Sequence, residues 1–290
     1  MERLTREGLW QLEPLARALD EAVPQRPRDD GLFGPRSLVW RLHRERSFPV
    51  AAVRSLMMQA LHPLAMAGVA QHSEWRRDPF GRLAATSGYV LTVTYGDRDA
   101  AEAAAARVRS VHTRVRGVDQ VTGLPYSADD PGLLLWVHAA MVDSILCVAE
   151  RYGRPLGPGD ADRYVAEMVR FAAIVGVPQE QVPRSASELS DYLGSVGLLQ
   201  ATPAAREAMA FVLDPPDLDQ DLRDTWHDLG QVAIGTLPEW ARAEYGFPAP
   251  PPEMLEREPV RQLVGLLDLG FESLPGVLEA RRRIELRIRA

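Results

Sequence analysis

The sequence predicts an all-α protein: a single globular multi-helix domain of ten or so helices. Three observations carry that prediction. Apolar residues recur at helical spacing through most of the chain. Helix punctuation separates these runs, with Asp or Ser at their starts and Gly or Pro at their ends. Only one short, turn-rich segment could pair as strands, and no internal repeat has a fixed period.

Taken in order, residues 7–23 can form an amphipathic helix, and 24–34 (PQRPRDDGLFG) a loop. Pro35 suits a first helical turn, so PRSLVWRLHRE reads as a short helix. Phe48 to Ala70 is long and apolar, with Pro63 inside it, which predicts a kink or break near His62. Asp78-Pro79 marks a boundary. Arg82 to Tyr95 is rich in Thr, Val and Tyr and has strand propensity, but its neighbours are helical and no partner strand is evident, so it too is assigned as helix. Asp97 or Asp99 caps the next helix, which runs to about Val115. GVDQVTGLPY, residues 117–126, carries the signals of a small hairpin. Asp129 is expected to cap the apolar helix that follows, which ends at Gly153. Asp160 opens a helix through about Val175, and Ser185-Ala-Ser-Glu188 is a capping box that starts another. Three or four more helices follow Thr202, interrupted by the proline-rich AEYGFPAPPPEM. The expected organisation is an N-terminal helix and loop (1–34), the main helical domain (35–245), and a C-terminal loop with helices packed on the same domain (246–290).

Composition excludes several functions. Of 290 residues, 46% are hydrophobic and 25% charged, the balance of a soluble globular protein with a core large enough to hide a cofactor. A net charge of -7 gives no global electrostatic case for nucleic acid. All 33 basic residues are arginine, so no lysine Schiff base can form. The single cysteine, Cys147, permits neither an intrachain disulfide nor a cysteine-cluster metal site, and its apolar neighbours assign it to packing. The N-terminus has no apolar signal core and no uninterrupted apolar window spans a bilayer, so a cytoplasmic location without a membrane span is expected. Dinucleotide-binding, P-loop and nucleophile-elbow motifs are absent from the sequence.

The chemistry rests on histidines. His138 has Leu134, Leu135, Met141 and Val142 at helical near-neighbour spacing, so its ring should be buried and each ring nitrogen needs a partner. A core histidine bonded to a carbonyl satisfies that need, and so does an axial ligand to a haem iron, with Trp136 and Met141 helping to line the cavity or simply packing. Arg109, His112 and Thr113 lie on one side of the preceding helix. They read either as part of an arginine-rich solvated face or as groups that stabilise oxygen, move a proton or hold a propionate. His62, before Pro63, is expected at a kink. His43, among Arg41, Arg44 and Arg46, is expected at the surface, and His227 in a structural role. His72 lies two residues before Glu74, and a non-haem metal site using His62 and His72 is a further alternative.

Four stretches carry a family resemblance: QALHPLAMAGVAQHSEWRRDPFGRL, RVRSVHTRVRGVD, LPYSADDPGLLLWVHAAMVDS and IVGVPQEQVPRSASELSDYL. In this order they resemble the MpaB-type oxygenase family, which includes the rubber-cleaving latex-clearing proteins, over roughly residues 30–245. The resemblance implies an all-α fold, haem b and oxygenase or peroxidase-like chemistry. It makes His138, in the W-V-H element, the proximal iron ligand. Latex-clearing proteins carry an Arg-x-x-Lys-Thr cluster on the distal helix, whereas this chain reads Arg109-Ser-Val-His112-Thr113. The replaced lysine argues against polyisoprene cleavage. It leaves His112 as a hydrogen-bonding group or a second, distal iron ligand. The expected function is a haem-b-dependent oxygenase acting on an apolar small molecule with O2 or peroxide. Arg109, His112 and Thr113 would be catalytic, and His138, Trp136, Met141 and His62 would bind the cofactor. A non-catalytic haem sensor, carrier or bis-histidine electron-transfer protein is the alternative.

Overall fold

A computed structural model describes residues 13–215, 218, 220–272 and 277–290. Among the described residues the regular structure is fourteen α-helices, two short 3-10 helices (Gln179–Gln181 and Pro252–Leu255) and one two-stranded hairpin, an all-α fold. In chain order the helices are α1 (Glu13–Ala22), α2 (Leu38–His43), α3 (Phe48–Ala60), α4 (Pro63–His72), α5 (Pro79–Tyr95), α6 (Arg98–His112), α7 (Pro131–Tyr152) and α8 (Asp160–Val175). The remainder are α9 (Ala186–Ser195), α10 (Pro203–Leu213), α11 (Gln220–Thr236), α12 (Glu239–Tyr245), α13 (Arg257–Glu272) and α14 (Val277–Arg289). The first part of the helix expected over 7–23 lies outside the described residues.

The architecture is organised around α7. It packs on α3 most extensively and also touches α2, α4, α8, α9 and α13. By length and composition α7 could cross a membrane, but most of it is buried inside the fold, as the central helix of a globular core would be. Helix α11 also packs on α3 and is itself covered by α13. A second layer is formed by α5, which packs on α1, α2 and α6, and by α6, which also reaches α8. The last helix, α14, returns to pack on α1. Strands β1 (Arg116–Val118) and β2 (Pro125–Ser127) pair antiparallel, with Gly117 opposite Tyr126, and the hairpin rests on α4.

The local signals explain most boundaries. Pro63 cannot continue the hydrogen-bond ladder of α3, and His62 before it takes the extended backbone that a residue preceding proline favours (φ -86°, ψ 111°). The apolar run therefore breaks into α3 and α4. Asp78, Asp97 and Thr202 each cap a helix through a side-chain oxygen, and the Ser185 hydroxyl accepts from the Glu188 amide.

Several expectations need correction. The α7 cap is Asp130, not Asp129: the Asp130 Oδ1 accepts from the amides of Gly132 and Leu133 at 2.8 and 3.1 Å. Helix α2 starts after Ser37, whose hydroxyl accepts from the Trp40 amide, so Pro35 lies before it. Five helices, not three or four, follow Thr202 among the described residues. His43 is buried rather than at the surface. It sits on the apolar face of α2, three residues after Trp40, with Nδ1 bonded to the Thr94 hydroxyl at 2.9 Å and Nε2 to the Tyr164 hydroxyl at 3.2 Å.

Candidate active site

The six imidazoles fall into distinct environments. Those of His43 and His72 are satisfied by hydroxyl partners, His72 Nε2 lying 3.1 Å from the Tyr126 hydroxyl. His227 is exposed on α11, along a cleft whose floor includes Phe211, Ile234 and Phe247. His62, His112 and His138 each bury Nδ1 without a hydrogen-bond partner. A sealed, unpartnered polar group costs about 1–3 kcal/mol, so three of them call for an explanation.

His138 is the most enclosed of the three. Its residue is 6% exposed, and neither ring nitrogen has a hydrogen-bond partner among the described residues. Burial pushes its pKa down to about 4, which keeps the ring neutral, with a lone pair available, at any pH near 7. The ring stacks on Phe171 of α8, with centroids 6.2 Å apart and planes 29° from parallel. Phe171 in turn meets the ring of Tyr89, on α5, edge-on at 5.5 Å. Arg109 of α6 donates from Nη1 to the carbonyl of Ile174, one turn along α8 from Phe171. Four helices, α5 to α8, thus bring together Tyr89, Arg109, His138 and Phe171.

His112 closes α6 and is half-buried. Burial lowers its pKa first and the Arg82 charge lowers it further, while Asp129 works in the opposite direction. It too is neutral near pH 7. Thr113, the residue after α6, is exposed, and its hydroxyl is turned back on the Ser110 carbonyl at 3.0 Å.

Trp136 and His62 face away from His138, toward α3. Trp136 lies two residues before His138, about 200° around the helix. It is fully buried against α3, donating its indole N–H to the Gln59 carbonyl at 3.0 Å. His62 accompanies Trp136, with ring centroids 6.1 Å apart, and its pKa is lowered by burial against the pull of Asp130. Met141 is half-buried and packs on the main core. The His62–His72 alternative fails on geometry: the two residues sit at opposite ends of the ten-residue α4, roughly 15 Å apart along its axis, too far to share one ion. Tyr89 and Arg82 were not read from the sequence as site residues. Their signal was there, since 82, 86 and 89 share one face of a helix at i, i+4 and i+7.

Among the described residues no three His, Cys, Asp or Glu side chains gather around a point. A lone neutral imidazole with no competing hydrogen bond suits a metal whose other ligands arrive with a prosthetic group, as in haem. The donor set at His138 therefore fits the group that the sequence resemblance implies.

Comparison with protein families matches residues 40–269 to "ER-bound oxygenase mpaB/B'/Rubber oxygenase, catalytic domain". The chain belongs to this family. The match covers α3 to α12, the whole His138 neighbourhood included, and identifies an oxygenase-type catalytic domain that takes a small-molecule substrate and O2. No curated protein and no solved structure matches the chain.

Proposed function

We propose that this oxygenase domain is haem-b-dependent: His138 would hold the iron, and Arg109 and His112 would be the polar groups that serve the oxygen chemistry the haem supplies. The observation that carries the reading is the buried, neutral and unpartnered His138 ring. Haem, when bound, supplies the activation of oxygen.

The chain's own residues set the conditions. The stack on Phe171 fixes the plane of the His138 ring, and burial holds the ring in the form that ligates. Arg109 is anchored by the Ile174 carbonyl and keeps a fixed positive charge in the site, which favours any oxygen that gains negative charge. His112 is neutral, so one ring nitrogen accepts a proton while the other donates. The apolar faces of α7 and α8 exclude water and favour an apolar substrate.

Retention tests the assignment. His138→Ala should purify without stoichiometric haem, while Arg109→Ala should keep haem and change turnover. Equal haem content in wild type and His138→Ala would refute the ligand assignment. The unpartnered His112 nitrogen also favours a second reading, a closed bis-histidine centre suited to electron transfer or sensing. A low-spin, six-coordinate spectrum that reverts in His112→Ala would select it.

A further inference from the structure

Tyr89 is the site's unexplained group. Its residue is only half-buried, yet its hydroxyl is sealed from solvent and has no hydrogen-bond partner. Its ring and that of Phe171 meet at nearly a right angle, and Phe171 and Ile174 lie one turn apart on α8. Ile174 anchors Arg109, so one face of α8 holds both the phenol of α5 and the guanidinium of α6. Burial raises the Tyr89 pKa and the Arg109 charge opposes that rise; the phenol stays protonated near neutral pH and acts as a donor. Arg109 donates to a single carbonyl and pairs with no carboxylate among the described residues. A phenol with no acceptor beside a guanidinium that has one carbonyl and no counter-charge calls for an acceptor from outside, and the fixed charge makes an anion the better one.

We propose that Tyr89 and Arg109 together bind a carboxylate carried on an apolar body. The inference rests on the reading of this neighbourhood as the oxygenase site. It adds α5 to the binding surface and narrows the ligand class. The carboxylate has two sources, an apolar acid substrate or the acid groups of the prosthetic group itself.

The test titrates the full chain, with and without haem, with decanoate and with decan-1-ol, read by calorimetry. Wild type should bind decanoate at least tenfold more tightly than the alcohol. Tyr89→Phe and Arg109→Gln should each cut that preference about tenfold or more, as loss of a hydrogen bond to a charged group does. Tyr89→Phe should also raise the melting midpoint of the ligand-free chain, since it removes a sealed, unpartnered hydroxyl, while reducing the gain in midpoint on adding decanoate. A structural hydroxyl would not produce both changes. If decanoate binds the haem-loaded chain equally well, the carboxylate belongs to the substrate. If haem displaces it and Tyr89→Phe weakens haem retention, it belongs to the prosthetic group, and Arg109→Ala should then lose haem too rather than keep it. Equal affinity of wild type for decanoate and decanol, or a preference that survives both substitutions, overturns the proposal. A decanoate preference in a chain that takes up no haem leaves this site standing and removes only the haem assignment.

Discussion

Replacing His138 with Phe keeps a flat ring against Phe171 but removes the only titrating group at that position. In the unfolded chain a histidine binds its proton near pH 6.5, whereas in the fold burial delays that to about 4. Between those values the unfolded state holds more protons, so stability falls as pH falls. The slope from this one ring is about 1.4 kcal/mol per pH unit, amounting to roughly 3 kcal/mol by pH 4. His43, pushed down to about 3 by burial, adds a slope of the same sign, as does any other group common to both proteins. The comparison with His138→Phe cancels these shared contributions. Urea unfolding of the haem-free chain at several pH values from 7 to 4.5 measures the difference. The variant should lose stability less steeply on acidification, and near pH 7 it should gain up to about 1–3 kcal/mol from removal of an unpartnered nitrogen. Parallel stability curves for the two proteins would refute the claim that this ring is held neutral by burial.

Other consequences follow from contacts elsewhere. Arg54, 3% exposed, bonds Asp143 at 2.7 Å, the Ser144 hydroxyl at 2.6 Å and the Thr236 carbonyl at 3.1 Å, tying α3, α7 and α11 together. Arg54→Met should cost about 3–5 kcal/mol in urea unfolding, with part recovered in the double variant carrying Asp143→Asn; a loss below about 1 kcal/mol would contradict that role. Trp136→Phe should cost about 0.5–1.5 kcal/mol, because it removes a buried hydrogen bond to the Gln59 carbonyl, which keeps its backbone donor His62, while leaving haem content unchanged; loss of haem would place Trp136 in the cofactor site after all. Thr113→Val should change stability by less than about 0.5 kcal/mol and leave turnover intact, since the hydroxyl is exposed and bonded to its own helix end. A tenfold loss of turnover there would restore the catalytic role expected from the sequence.

Local rules were legible where a single residue decides the outcome. Pro63 broke the apolar run where its missing amide requires, and the acidic and hydroxyl caps placed the helix starts to within a residue or two. Arg82 to Tyr95 reads as strand by propensity and is helix in the fold, because α1 and α6 offer its apolar side a partner and no strand does. Histidine environments were harder, because they depend on what faces a helix. The arginines flanking His43 suggested solvent, but its spacing from Trp40 turns the ring inward, where Thr94 and Tyr164 happen to be. The sequence put Trp136 beside His138, yet two steps along a helix point opposite ways. Tyr89 gained meaning only when α8 brought Phe171 and Ile174 between it and the other site residues, a contact no spacing in α5 encodes.

His138 is the centre of the proposed chemistry. The decisive measurement is the absorption spectrum, oxidised and reduced, of the full chain produced with haem supplied, taken beside that of His138→Ala at equal protein concentration. A Soret band corresponding to one haem per chain in wild type, lost in the variant, is the predicted result. A colourless wild type, or a band of equal strength in both proteins, would contradict it.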